Sequence, residues 1–280
     1  MKKIITLLCA TAILAGCATS KKEQTKAPRN IGIAMYTFHK RTLEEMAPFM
    51  KDLGIKYIGL SRTPFSPKYP KVKTGHAMNA EQRAYLKKIV KDYGFELKSY
   101  GVVTPKTEAD LKEMCEFAKE MSIPLILTEA TGDMLKLCQK YGEKYNIDFA
   151  IHCHAVEPNK KWYELYKPEY VKNLIAPYSR VYSCPDTGAW LLSGYDATAG
   201  LKTLEGTVKM IHLKDSNRFN DYKGNSVPFG TGIGNLKKFL AEFDRQKLGE
   251  KGVCLMIEYE VNADKNDEDV KKCVNFLRNN

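Results

Sequence analysis

The sequence predicts a single (β/α)₈ barrel, an α/β fold of eight parallel strands alternating with eight helices. Three observations predict it. From Ile31 onward, short apolar runs of strand length alternate with longer runs of helical period, eight of each in order; strict alternation makes a parallel sheet with right-handed crossovers. The stretch 31–280 has the length, ~250 residues, at which eight such units close on themselves. The first strand runs into Met35-Tyr36-Thr37-Phe38-His39, without the glycine-rich phosphate turn that an open doubly wound sheet places there.

The elements follow in order. Ile31 to Tyr36 reads as the first strand, and Thr42 to Leu53 as a helix that stops near Gly54. Tyr57 to Leu60 is the second strand; a proline-rich loop, Pro64 to Pro70, leads to a helix over Asn79 to Tyr93. Leu97 to Val103 is the third strand, followed by Leu111, Met114, Cys115, Ala118 and Met121 at helical spacing. Pro124 to Thr128 is the fourth strand, and Met134, Leu137, Cys138 and Tyr141 mark the helix behind it. The second half repeats the pattern: strand Asp148 to His152 with a helix near Glu169 to Ala176, and strand Val181 to Cys184 with a helix near Ala197 to Leu204. Strand Val208 to Leu213 precedes a helix carrying Leu236, Phe239, Leu240 and Phe243; strand Val253 to Ile257 precedes one carrying Val270, Cys273, Val274 and Leu277. Gly230-Thr231-Gly232-Ile233-Gly234 follows a long loop rather than a strand and reads as a turn into the seventh helix.

Residues 1–16 read as a signal, not as part of the barrel. Lys2 and Lys3 start it, Ile4 to Leu14 is an apolar stretch too short for a stable span, and Leu14-Ala15-Gly16-Cys17 ends it. That ending resembles a bacterial lipoprotein box, in which Cys17 becomes the lipidated first residue. Residues 17–30 are then a polar, lysine-rich linker, and the expectation is a barrel tethered to the cell envelope by lipid, facing the periplasm.

The net charge of +11 comes largely from lysines on outer helix faces, such as Lys87-Lys88, Lys237-Lys238 and Lys271-Lys272. No stripe of basic residues interleaved with stacking aromatics is present, so nucleic-acid binding is not expected. Of the eight cysteines, Cys115, Cys138, Cys254 and Cys273 fall on apolar helix or strand positions and read as buried free thiols.

The chemistry lies at the strand ends, since barrel enzymes work at the C-terminal ends of their strands. Those ends carry Ser61, Thr104, Glu129, His152 with His154, Asp186, His212 with Lys214 and Asp215, and Glu258 with Glu260. Residues two apart share a side of a strand, so inward positions on neighbouring strands offer a mixed nitrogen and oxygen ligand set: His152, Asp186, His212 and Glu258. Such a set suits Mn²⁺, Zn²⁺, Co²⁺ or Fe²⁺ better than Ca²⁺. Each ligand also has a plainer reading: His212 as a hydrogen-bonded core histidine, Asp186 as the cap of the turn at Thr187-Gly188, Glu258 as the ion-pair partner of Lys214, and His154 in place of His152 as the inward ligand.

At these residues the chain resembles the xylose isomerase-like TIM-barrel superfamily, in its sugar phosphate isomerase/epimerase branch. The resemblance rests on Ile151-His152-Cys153-His154, Asp186-Thr187-Gly188-Ala189-Trp190, Ile211-His212-Leu213-Lys214-Asp215, Pro228-Phe229-Gly230-Thr231-Gly232 and Ile257-Glu258-Tyr259-Glu260. It implies one divalent metal (Mn, Zn, Co or Mg) on Asp186, His212 and Glu258, and a substrate-binding role for Arg218. Two positions depart from the ketose epimerases: His152 stands where they carry Glu, which puts their two-glutamate proton transfer in doubt, and Ala189 stands where many relatives have His.

The resemblance implies a metal-dependent isomerase or epimerase acting on a small sugar or keto-sugar, through removal of a proton next to a metal-bound carbonyl. Glu258 is the expected general base, with His152 or His154 as its partner on the other face. Lys214 is expected to neutralise developing charge, and Arg218, Glu129 and His154 to contact substrate. Trp190 either packs on a sugar face or belongs to the barrel-top core. The alternatives are a keto-sugar lyase or dehydratase on the same scaffold and a non-catalytic sugar-binding lipoprotein. A DNA-repair enzyme like endonuclease IV shares the barrel, but its three zincs need a richer ligand set than five histidines supply.

Overall fold

The computed structural model describes residues 29–160 and 162–280. The expected signal 1–16, the lipidation site Cys17 and all but the last two residues of the linker 17–30 lie outside the described residues. Eight parallel strands form the barrel: β1 (Asn30–Ala34), β2 (Tyr57–Leu60), β3 (Glu96–Tyr100), β4 (Leu125–Thr128), β5 (Asp148–Ile151), β6 (Val181–Ser183), β7 (Met210–Leu213) and β8 (Cys254–Ile257). They are hydrogen-bonded in the order β6-β5-β4-β3-β2-β1-β8-β7. Closure between β6 and β7 rests on two isolated bridges, Ser183 with Val208 and Asp186 with His212. The helices outside are α1 (Leu43–Asp52), α2 (Ala80–Tyr93), α3 (Glu108–Glu120), α4 (Asp133–Tyr145), α5 (Pro168–Ile175), α6 (Thr187–Leu192), α7 (Ala197–Thr203), α8 (Leu236–Arg245) and α9 (Asp267–Asn279). Among the described residues no helix is long and apolar enough to cross a membrane.

Local sequence explains where these elements begin. Thr42 and Glu45 form a reciprocal capping box at the start of α1, and Asn79 and Gln82 do the same for α2, each satisfying two backbone donors that a helix end leaves free. Thr107 and Asp196 cap α3 and α7, and Pro168 opens α5 at a position that has no hydrogen bond to lose. Most expected segments match to within a residue or two. One α-helix is additional: α6 starts directly after Asp186, where a turn was expected. Its sequence, Thr-Gly-Ala-Trp-Leu-Leu, is buried at Thr187 through Leu191, so it carries no amphipathic period to announce it.

Strand alternation divides the core in two. Phe149, Ile151, Ile211, Leu213, Leu255 and Ile257 face the helices in the large outer core. Ala34, Leu125, Leu127, Ala150, Cys184, Met210, Cys254 and Met256 pack together in the barrel interior. The interior is tight: a Cβ on Gly32 would lie 2.6 Å from the Met256 sulfur. Continuing the interior parity past the strand ends gives Glu129, His152, Cys184 then Asp186, His212 then Lys214, and Glu258 then Glu260. The same period-two rule that fills the barrel with Met256 therefore sets Glu258 on top of it.

Candidate metal centre and active site

His152, Asp186, His212 and Glu258 are all buried, and each offers one ligand atom within 4.8 Å of the others. They come from four neighbouring strand ends and form the floor of the barrel mouth. His152 Nε2 is 3.5 Å from Asp186 Oδ2, and its Nδ1 is 3.8 Å from Glu129 Oε1. Both distances exceed a hydrogen bond. His152 is thus a buried imidazole with neither ring nitrogen hydrogen-bonded, and Asp186 Oδ2 is likewise without a hydrogen-bond partner. Buried polar atoms are seldom left unsatisfied. Two imidazoles and two carboxylates converging within 4.8 Å, with His152 and Asp186 Oδ2 lacking hydrogen-bond partners, fit a divalent transition metal.

Asp186 does two jobs. Its Oδ1 accepts the Ala189 N–H at 2.8 Å and caps α6, while Oδ2 faces His152 and Lys214. The cap expected from the sequence is made by Oδ1, and Oδ2 is left over as an oxygen that could bind a cation.

Lys214 sits inside the cluster. Its ammonium is 2.9 Å from Asp186 Oδ2, 2.9 Å from Glu258 Oε2 and 2.5 Å from Glu260 Oε1; the contact to Asp186 is an ion pair without hydrogen-bond alignment. His212 Nδ1 reaches the same Glu258 Oε2 at 3.0 Å. The charges shift one another. Burial works against the Glu258 carboxylate, yet His212 and Lys214 hold its carboxyl well below the usual range. Burial would also lower the Lys214 ammonium, but Asp186, Glu258 and Glu260 hold it well above the ordinary lysine value. Burial pushes the His152 imidazole down; Asp186 and Glu129 outweigh it and raise it to about 9.

A second arrangement stands at the rim. Glu129 Oε1 accepts His154 Nδ1–H at 2.5 Å and the Tyr163 hydroxyl at 2.8 Å. Burial would raise the Glu129 carboxyl, but His152 and His154 hold it far below the ordinary range. With Nδ1 turned to the carboxylate, His154 keeps Nε2 free for other work. Tyr163 also accepts the His154 backbone N–H at 2.8 Å, which locks the turn after β5.

Two hollows open above the floor. One of about 400 Å³ is lined by Tyr36, Ser61, Arg62, Glu129, His152, His154, Glu258 and Glu260 among others. The other, about 390 Å³, shares Glu129, His154 and Glu260 with it and adds Tyr163, Ala189, Lys214 and Trp162.

The structure brings Glu129, His152, His154, Asp186, His212, Lys214 and Glu258 together at the barrel mouth. Two residues named as candidate substrate contacts stand away from the hollows. Trp190 is 1% exposed and belongs to the barrel-top core: its ring fills the space where a Cβ on Gly200 would stand, 2.8 Å away. The tryptophan at the mouth is Trp162, 76% exposed. Arg218 lines neither hollow; it is exposed and paired with Asp221 at 2.7 Å, within its own loop. Tyr163, Trp162 and Arg62 are mouth residues that sequence reasoning missed. Tyr163 and Trp162 lie in an irregular loop with no periodicity, and only the adjacent pair of aromatics gave any signal.

A model of the Xylose isomerase-like TIM barrel family matches residues 47–280. No curated protein matches the chain. Solved structures share the fold. An uncharacterized protein from Parabacteroides distasonis is 24% identical, with a TM-score of 0.69, 90% of this chain and 98% of that one being covered. A protein from Bacillus anthracis, assigned as the 3-DHS dehydratase of petrobactin synthesis, is 13% identical with a TM-score of 0.68, over 89% and 98% of the two chains. D-psicose 3-epimerase, solved in the presence of D-fructose, is 13% identical with a TM-score of 0.66, also over 89% and 98%.

Proposed function

The chain belongs to the xylose isomerase-like TIM barrel family, and from that premise we propose that it is a metal-dependent isomerase or epimerase of a small sugar or keto-sugar. The observation that carries the reading is the buried His152–Asp186–His212–Glu258 set at the barrel mouth, in which the His152 ring nitrogens and Asp186 Oδ2 have no hydrogen-bond partner. A divalent cation held by these four residues would supply Lewis-acid polarisation of a substrate carbonyl.

The remaining work falls to this chain's own side chains. Glu258 is ionised at neutral pH, and since His212 and Lys214 both engage Oε2, Oε1 is the oxygen that takes the proton beside the carbonyl. His154, held by Glu129 through Nδ1–H, delivers the proton carried on its Nε2 from the other side of the hollow that both residues line, while Glu258 keeps the one it took. Lys214, already among three carboxylates, stabilises negative charge that develops on the substrate oxygen. Trp162 and Tyr163 offer flat faces at the rim for a sugar ring. The Leu14-Ala15-Gly16-Cys17 box supports placing this activity at the cell envelope, with lipid on Cys17 as the tether.

Elimination from a keto-sugar is the second reading. It is favoured by the Tyr163–Glu129–His154 chain, a ready proton source for a leaving group. The test is metal content together with solvent-deuterium exchange into keto-sugars followed by NMR. We expect exchange to need metal and to fall at least ~100-fold in Glu258→Gln. Undiminished exchange after chelation, or in that variant, would sink the proposal; an ultraviolet-absorbing enone product would select elimination.

A further inference from the structure

Arg62 stands out among the cations of this protein. Every other arginine among the described residues donates to an acceptor: Arg29 to Asp244, Arg41 to Asp267, Arg83 to Glu120, Arg180 to Asp148, Arg218 to Asp221, Arg245 to Glu242 and Arg278 to the Leu53 carbonyl. Arg62 donates to none of the described residues. It stands two residues past the end of β2 and lines the hollow above Glu258 and His152. It also lines a neighbouring hollow of about 440 Å³, together with Lys71, Lys73 and His76.

The carboxylates within reach of the first hollow are already matched. Glu129 is taken by His154, Glu258 by His212 and Lys214, and Glu260 by Lys214. The neighbouring hollow has no carboxylate in its lining, and neither Lys71 nor Lys73 forms an ion pair among the described residues. His76 is turned to Asp110 at 3.2 Å. The loop that presents these groups is fixed. Lys73 pairs antiparallel with Pro64, Thr74 N–H donates to the Thr63 carbonyl at 2.9 Å, and the Thr74 hydroxyl clamps the Ser61 carbonyl. The backbone on both sides of Arg62 is therefore pinned, and its exposed guanidinium is a planar donor fork with no acceptor among the described residues.

We infer that Arg62, backed by Lys71 and Lys73, is a specificity-determining residue that binds an anionic group, a carboxylate or a phosphate, on the far end of the sugar whose reacting carbonyl lies at the metal cluster. A guanidinium pairs such groups in bidentate fashion, and the two lysines add to the field that draws them in. The assignment rests on the isomerase reading only in taking the ligand to be a sugar.

The test is calorimetric titration of the full chain with D-glucuronate, D-glucose 6-phosphate and D-glucose, in wild type, Arg62→Met and Arg62→Lys. We expect one of the two anionic sugars to bind at least tenfold more tightly than D-glucose, which tells carboxylate from phosphate. Arg62→Met abolishes that preference by weakening the anionic sugar, with metal uptake unchanged; Arg62→Lys keeps part of it. Equal affinity for all three sugars, failure of both anions to bind, or a preference that survives in Arg62→Met overturns the assignment. The two readings fail separately: turnover of a neutral keto-sugar without a charge preference removes Arg62 alone, and a charge preference without any proton exchange removes the isomerase alone.

Discussion

The ammonium of Lys214 lies 2.9 Å from Oε2 of Glu258, so a lysine serves as the resident cation among the carboxylates that would hold a metal. Lys214 is two residues beyond His212 on the same side of β7, which is why both reach the same oxygen.

Replacing Lys214 with Met should therefore expose a cost hidden in the wild type. Asp186 and Glu258 would be left buried without that partner, and breaking such a pair costs about 3–5 kcal/mol. Urea unfolding of metal-free Lys214→Met should show a loss of this order. Added divalent metal should recover most of it, a larger gain than in the wild type. If the metal-free variant unfolds at the wild-type urea concentration, Lys214 is not the counter-ion of the cluster.

Asp215 should matter for stability rather than for chemistry. Its carboxylate accepts backbone N–H groups from Gly230 and Gly232 on Oδ2 at 2.9 and 3.1 Å, and from Gly234 and Ser216 on Oδ1, both at 3.0 Å. The glycine-rich turn is wound around this side chain; a Cβ on Gly232 would lie 2.4 Å from Oδ1. Hydrogen bonds to a charged group are worth about 1.5–3 kcal/mol each. Asp215→Ala should lose at least ~3 kcal/mol in denaturant unfolding, and Asp215→Asn less. A loss under ~1 kcal/mol for the alanine variant would refute the anchoring role.

The cysteines give a pH-dependent signature. The six in the described residues are all free and buried. Burial raises Cys115, Cys138 and Cys273 to about 12 and Cys254 to about 11, and pushes up Cys153 and Cys184 as well. At pH 8 the native thiolate fraction at Cys254 is on the order of one in a thousand. Ellman's reagent should leave these thiols unmodified in the native protein and react with them on denaturation. The sign for stability follows: a thiol whose folded pKa is raised contributes fully below its unfolded value, near 8.5, and that contribution is lost as pH rises toward 11 and 12. Unfolding free energy should decline above about pH 8.5. Rapid native labelling at pH 8 would contradict the burial of these groups.

The barrel and its floor were legible because both obey local rules. Strand-length apolar runs and helical periods gave the eight units, and parity along each strand gave His152, Asp186, His212 and Glu258. What was not legible depends on the tertiary fold. Trp190 and Trp162 are indistinguishable as letters; only the packing of α6 against Gly200 buries the first and leaves the second at the mouth. Asp186 read as either cap or ligand because a sequence does not say that its two oxygens point in different directions. Arg218 fitted the family spacing, yet its loop turns it to Asp221. Arg62 carried no pattern at all, since its significance is the lack of an acceptor, and that shows only once every other arginine has found one.

The bridge that pairs Asp186 with His212 gives the last join of the barrel a second meaning. A cylinder rolled from a sheet must be fastened where its two ends meet, and here that fastening is sparse. The residues directly opposite each other at the join are also the two that would grip an ion. A cation between them would act as a rivet through the overlap, so the hoop strength of the barrel and its chemistry would depend on the same atoms, and loss of the ion would be felt first as slackness along the β6–β7 edge.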